Sequence, residues 1–236
     1  MQKTSLYLLS GLLLLLVLLM LNISLGSVTI PLKDILASFF NAEVEKETWR
    51  YIILDYRLPK AITAVLVGSG LALSGLLMQT LFRNPLAGPY VLGLSSGASL
   101  GVAIVILGGA VFGGVFSTLF LSKFTLVIAA SLGSVLVLLA VLATSFRVKD
   151  TMALLIIGLM FASLTSAVVS VLSYFSPSES LQKYIFWSFG SLGNLAWQEV
   201  FILAIFWLAG VIISIFCIKN LNALLLGEKY AKSLGT

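Results

Sequence analysis

Apolar residues in this chain come in long unbroken runs, with polar and charged positions confined to the intervals between them. A helix needs about 20 predominantly apolar residues to cross roughly 30 Å of hydrocarbon, so charge-poor runs of that length are the signal to count. Six are found, near residues 6–25, 61–82, 91–110, 124–146, 151–175 and 200–218. The pattern predicts an all-α integral membrane protein, a polytopic helix bundle, with residues 219–236 following the last span.

The first run, with its stretch Leu12 to Leu16, resembles the apolar part of an export signal. It is longer than the usual 7–15 residues and no small-residue cleavage site precedes a soluble domain, so it is expected to remain as a helix. The charge-free interval from Asn84 to Ser122 is too long for one span. Its start, Asn84-Pro85-Leu86-Ala87-Gly88-Pro89, holds two prolines that cannot sit in a helix interior, so an irregular stretch is expected before a helix resumes near Gly93. Irregular backbone at membrane depth must line a cavity.

Six crossings place both termini on one side. The positive-inside rule is tied, with seven Lys/Arg on each side. Seven of the nine acids would lie outside if the amino terminus is inside, which leans toward a cytoplasmic amino terminus.

Lipid gives no hydrophobic drive for helix association, so backbones approach through small residues four apart. Gly93, Gly97 and Gly101 form one such ridge; Gly68 with Ala72 and Gly70 with Ser74 form another; Gly158, Ala162, Ser166 and Ser170 run along the fifth helix. These ridges predict tight helix contacts. The hydroxyl face of the fifth helix, Ser163, Ser166 and Ser170, has two readings: ordinary packing, which is the simpler one residue by residue, or the lining of a solute path.

Composition narrows the chemistry. Apolar residues make up 60% of the chain and charged ones 10%, against about 45–50% and about 25% in soluble domains. Histidine is absent, which removes the usual general base and the commonest metal ligand. Cys217 is the sole cysteine, so no intramolecular disulfide forms and the thiol reads as a small apolar filler. No catalytic constellation, metal site or cofactor is expected. The net charge of +5 is scattered singly between apolar runs, which argues against nucleic acid. No ionisable residue lies deep in the six runs, which disfavours proton coupling. No G-x-x-x-x-G-K-[ST] loop occurs, so any ATP energy must come from a partner.

Four segments carry a resemblance: Arg57-Leu58-Pro59-Lys60; Ser74-Gly75 with Gln79, running on through Asn84 to Pro89 and Leu92-Gly93-Leu94-Ser95-Ser96-Gly97-Ala98; the stretch around Trp187 to Gly193; and Leu221 to Gly235. Together they resemble the permease subunits of type II ATP-binding-cassette importers, which take up iron-siderophore chelates, haem and cobalamin. Lys60 departs from the arginine usual there. The family has about ten spans, and its later helices are missing from this sequence, which resembles a truncated permease.

The resemblance implies a fold of the type II importer permease kind and a role for each segment. Arg57 and Lys60 would dock acidic residues of an extracytoplasmic binding protein, since a rim charge can make a charge-assisted bond to a carboxylate; the plainer reading is a snorkelling interfacial anchor. Asn84 and Leu86 would help close an inner gate; the alternative is a simple helix-breaking turn. Leu226, Gly227, Glu228, Ala231, Leu234 and Gly235 would belong to a cytoplasmic coupling segment, residues 219–236, seated in an ATPase subunit, with a juxtamembrane helix on anionic lipid as the alternative. Ser176 to Gln198, rich in aromatics, would lie near the outer gate. Implied partners are cytoplasmic ATPase subunits, the binding protein, a second permease copy or related subunit, and the lipid bilayer of a bacterial cytoplasmic membrane. The implied cargo is an iron chelate, siderophore or haem, or cobalamin. The rival reading, a secondary carrier or channel, calls for intramembrane ionisable residues or mirrored halves, and neither is evident.

Overall fold

The computed structural model describes residues 2–40, 42–109, 122–148, 151–193, 195–233 and 235. All regular structure among them is helical. The helices are α1 (Gln2–Ser24), α2 (Leu32–Phe39), α3 (Glu47–Tyr51), α4 (Leu58–Phe82), α5 (Leu94–Ala103), α6 (Lys123–Ser145), α7 (Thr151–Phe175), α8 (Ser178–Ser188), α9 (Trp197–Leu225) and α10 (Glu228–Ser233). Among the described residues, five stretches are long and apolar enough to cross a membrane: Thr4–Ser24, Glu47–Phe82, Lys123–Ser145, Ala153–Phe175 and Trp197–Leu225. A sixth apolar helix, Leu94–Gly108, is shorter within the described residues and begins only after the irregular stretch that ends at Gly93.

The second long helix starts earlier than its apolar run. Glu47, Arg50, Asp55, Arg57 and Lys60 hide its beginning in the sequence, yet α3 passes through a π-helical turn, Ile52–Arg57, straight into α4. The turn sits just before Pro59, whose missing N–H and ring would otherwise disturb the ladder. The bulge absorbs the defect without breaking the helix.

The chain forms two compact units. The first comprises residues 1–70 and 191–215. Its core gathers Ile23 from α1, Ile30, Ile35 from α2, Ile53 and Ala61, with Leu19, Trp49, Ile52, Leu54 and Leu58 packed around them. Here α2 lies with Asp34, Ile35 and Ser38 buried; Asp34 accepts the Glu45 N–H at 3.2 Å, so the buried carboxylate is not left bare. The indole N–H of Trp197 donates to the Leu54 carbonyl at 3.1 Å, within the π-helical turn, and that of Trp207 donates to Ser69 Oγ at 2.9 Å.

The second unit comprises residues 71–190 and 216–236. Val102, Ala103, Ile106, Leu107 and Tyr184 form its core, with Leu126, Ala130, Val169, Leu172 and Trp187 around them. The predicted ridge is the main contact of α5. A Cβ on Gly97 or Gly101 would strike the backbone at Gly133 or Ala129 of α6, and one on Gly133 would strike the Gly97 carbonyl. Gly158 of α7 likewise leaves room for the Val91 carbonyl. Ser134 Oγ adds a bond to the Leu94 carbonyl at 2.8 Å. The ridge expected on α4 behaves differently: Gly68 faces open space and Gly70 meets only the Trp207 indole.

Candidate functional site

Four places hold the residues singled out by sequence. In the first unit, the segment Arg57 to Lys60 spans the junction of the π-helical turn and α4. Lys60 is exposed. Arg57 is buried, and its guanidinium donates from Nη1 to the carbonyls of Ile23 at 2.6 Å and Ser24 at 2.8 Å and from Nη2 to the carbonyl of Val28. The two bases, three residues apart, therefore stand in opposite environments.

In the second unit, α4 ends at Phe82 and Arg83 adopts a left-handed conformation with φ 47°. The Asn84 N–H then returns to the Gln79 carbonyl at 3.2 Å. Asn84 Oδ1 accepts the Leu86 N–H at 2.9 Å and the Asn84 carbonyl accepts the Ala87 N–H at 3.0 Å. A short asparagine side chain that mimics a backbone turn is a standard way to set such a corner. The corner leaves Leu86 82% exposed at its tip while Ala87 is buried. A 3₁₀ turn, Pro89–Leu92, and Gly93 at φ 76° lead into α5. The left-handed φ at position 93 suits glycine.

Also in the second unit, a cavity of about 280 Å³ is lined by Ser95, Ser96 and Ser99 of α5, Ser166 and Val169 of α7, and Tyr184 of α8. Ser99 Oγ and the Tyr184 hydroxyl are hydrogen-bonded across it. Of the three serines expected to line a path, Ser166 borders this cavity. Ser163 and Ser170 are exposed on the same helix and return their hydroxyls to the Leu159 and Ser166 carbonyls, each at 3.0 Å. Sequence reasoning placed Tyr184 only within the aromatic segment Ser176 to Gln198 and did not single out Ser99. The spacing of Ser95 and Ser99, one turn apart on the glycine-ridged helix, was the available signal.

The fourth place is the carboxyl end. The α9 helix runs to Leu225, Leu226 is exposed, and Gly227 turns the chain at φ 121° into α10. There the Ala231 N–H donates to the Gly227 carbonyl at 2.9 Å, and Ala231 is buried. Glu228 opens the helix and Gly235, at φ 78°, follows it; Leu234 lies outside the described residues. Among the described residues, no group of three or more His, Cys, Asp or Glu side chains is placed to hold a metal ion.

Comparison with known proteins matches the chain to transport permeases. The chain is 35% identical over 185 residues to the molybdate import system permease protein MolB of Haemophilus influenzae, covering 78% of this chain and 52% of that one. It is 35% identical over 200 residues to the hemin transport system permease protein HmuU of Yersinia pestis, covering 84% and 58%, and 35% identical over 189 residues to the vitamin B12 import system permease protein BtuC of Klebsiella pneumoniae, covering 78% and 53%. The chain thus spans little more than half the length of these relatives. A solved structure described as a metal-chelate type ABC transporter in an inward-facing conformation superposes with a TM-score of 0.79 at 31% identity, covering 98% of this chain and 68% of that one. The family model for FecCD transport proteins matches residues 14–236, and the chain belongs to the FecCD transport family.

Proposed function

We propose that this chain is part of the membrane-spanning permease subunit of an ATP-binding-cassette importer and forms a stretch of the path for an iron chelate, siderophore or haem, or for cobalamin. The observation that carries the reading is the family match over residues 14–236. The multi-pass helical architecture agrees with it. Cargo crosses chemically unaltered, and ATP is hydrolysed by separate cytoplasmic subunits.

In this reading the Arg57–Lys60 segment belongs to the outer rim, where a binding protein docks with its acidic residues. The corner at Asn84 and Leu86 is an inner gate: a hydrogen-bonded turn fixes the backbone while an exposed leucine supplies the apolar plug. Ser163, Ser166 and Ser170 face the path. Neutral hydroxyls hydrogen-bond a passing solute without holding it by charge, which suits cargoes selected elsewhere. Leu226 to Gly235, with Leu226, Gly227, Glu228, Ala231, Leu234 and Gly235, forms the lever that the ATPase grips. A second permease copy or a related subunit completes the path, and the amino terminus lies in the cytoplasm of a bacterial cell with the protein in its cytoplasmic membrane.

The test is uptake into proteoliposomes containing the complete permease, its ATPase and its binding protein, with siderophore, haem, cobalamin and molybdate compared as cargoes. ATP-dependent accumulation of an iron chelate or cobalamin is expected. Accumulation driven by an ion gradient, with no ATPase present, would establish a secondary carrier instead. A cysteine at Leu86 should change its labelling rate at least several-fold between nucleotide states; a constant rate would reduce the corner to a plain turn.

A further inference from the structure

The two bases of the Arg57–Lys60 segment are expected to act alike, yet the structure separates them. Three independent features surround Arg57. The first is its set of acceptors: the carbonyls of Ile23 and Ser24 close α1, and that of Val28 belongs to the strand of chain that follows. The last carbonyls of a helix have no intrahelical partner, and they carry the negative end of the helix dipole, where a cation is favoured. Arg57 satisfies two of them and ties the following loop to the same point.

The second feature is Gly26. A Cβ there would lie 2.8 Å from Arg57 Nη2 and 3.1 Å from its Cζ, so the loop leaves room for a seated guanidinium. The third is the π-helical turn, Ile52–Arg57. A bulge inserts one residue into the helix, and one residue is about 100° of helical phase, so Arg57 is turned relative to the residues before it. The same knot is closed by Ser24, whose Oγ donates to the Ile30 carbonyl at 2.9 Å while its own carbonyl accepts the Ile30 N–H at 3.2 Å. Ile30 itself is fully buried beside Ile35 and Ile53.

We infer that Arg57 is a positioning residue that clamps the end of α1 and the 25–30 loop onto the π-helical turn, and that Lys60 alone presents the docking charge of this segment. The inference rests on the docking reading for the second half and on the carbonyl clamp for the first. A guanidinium committed to three carbonyls in a buried site would have to abandon them to reach a carboxylate on another protein, and the Ser24 carbonyl would keep only the Ile30 N–H. Lys60, on the exposed side, has no such cost.

The experiment uses the assembled transporter in nanodiscs with two readouts: amide hydrogen exchange of residues 25–30, and affinity for the binding protein. Arg57→Gln and Gly26→Ala should each raise exchange in the loop by tenfold or more. Gly26→Ala is informative because it displaces the guanidinium without removing its charge. Both variants should leave affinity within about twofold, and Arg57→Lys should recover part of the protection. Lys60→Glu should do the reverse, lowering affinity tenfold or more with loop exchange unchanged. If Arg57→Gln weakens docking as Lys60→Glu does while the loop stays protected, Arg57 is a docking residue and the clamp is refuted. If loop exchange responds as stated but Lys60→Glu leaves affinity intact, the clamp stands and the docking assignment of this segment fails. Should Arg57→Gln not assemble, Gly26→Leu, whose side chain would take the guanidinium's place rather than nudge its flexible end, decides the first half alone, since loop protection that survives it would overturn the clamp.

Discussion

The two compact units of this chain hold their helices by different means. In the first, side-chain hydrogen bonds join the elements: Arg57 grips the carbonyls that end α1, Trp197 donates to the backbone of the π-helical turn, and the Trp207 indole donates to Ser69 Oγ. In the second, backbone meets backbone: Gly97 and Gly101 of α5 nest against Ala129 and Gly133 of α6, and Gly158 of α7 against Val91. Lipid removes the hydrophobic drive between helices and leaves hydrogen bonds and close packing as the alternatives. Each unit relies mainly on one of them, and the consequence is a different tolerance to substitution.

The sharpest way to break this comparison is to place the same side chain on a glycine of each unit. Gly101→Leu forces a side chain into the Ala129 carbonyl, and a backbone atom cannot swing aside. Overpacking of this kind costs about 3 kcal/mol, and we expect a large loss of thermal stability in detergent for the complete permease. Gly68→Leu, on α4, meets nothing within 4 Å of its Cβ in this chain and should shift stability by no more than about 0.5 kcal/mol. Equal losses at the two sites would mean that α4 is also closely packed, against protein that this chain does not contain.

That contrast also measures how much could be read in advance. The close-packed unit was legible because its device is periodic: Gly93, Gly97 and Gly101 repeat at one helical turn, and the ridge landed where the spacing put it. The same spacing misled at Gly68, because periodicity shows that a helix can be approached closely and not that anything approaches it. The clamp was not legible. Arg57 and Ile23 are 34 residues apart, and nothing local distinguishes a rim arginine that waits for a partner protein from one that turns inward. The start of the second long helix was missed for a related reason, since charges from Glu47 to Lys60 end the apolar run while leaving helical geometry intact. Motif resemblance found the corner at Asn84 and the segment after Leu225, but the Ser99 and Tyr184 pair needed the fold to bring α5 and α8 together.

A second perturbation addresses the carboxyl end of the second unit. Gly227 sits at φ 121°, a region that β-branched side chains enter only under strain of about 2 kcal/mol. Gly227→Val should therefore re-aim α10 while leaving the α5–α6 packing untouched. ATPase stimulation by the loaded binding protein should fall several-fold in the assembled transporter, with unfolding temperature nearly unchanged. Unaltered stimulation would detach this turn from coupling.

The hydrogen-bonded unit has a milder test. Trp207→Phe keeps the aromatic bulk but deletes the donor to Ser69, and an interhelical bond in lipid is worth about 1 kcal/mol. Ser69→Ala deletes the acceptor for Trp207 together with the hydroxyl's own bond to the Val65 carbonyl at 2.6 Å, so neither single variant isolates the interhelical bond. A double-mutant cycle on the unfolding free energy should return a coupling of that size. A coupling near zero would show that packing alone joins α4 and α9 there, and would blur the distinction between the two units.

The smallest expected effect lies at Arg83, and its sign is set by two opposing terms. A left-handed conformation costs a residue with a Cβ about 1–2 kcal/mol, and Arg83 bears that cost at φ 47°. Glycine there relieves it but gains unfolded-state freedom, which offsets about 0.4–1 kcal/mol. Arg83→Gly should thus stabilise the complete permease by about 0.5–1 kcal/mol in a detergent unfolding measurement. Arg83→Asn, like Arg83→Gly, removes the cation and tolerates the left-handed region, but without glycine's added unfolded-state freedom, so it tests the backbone gain independently. If both variants are stabilised yet transport slows in both, the arginine is kept for its charge beside the Asn84–Leu86 corner. If transport is unchanged, position 83 serves only to turn the chain from α4 into that corner.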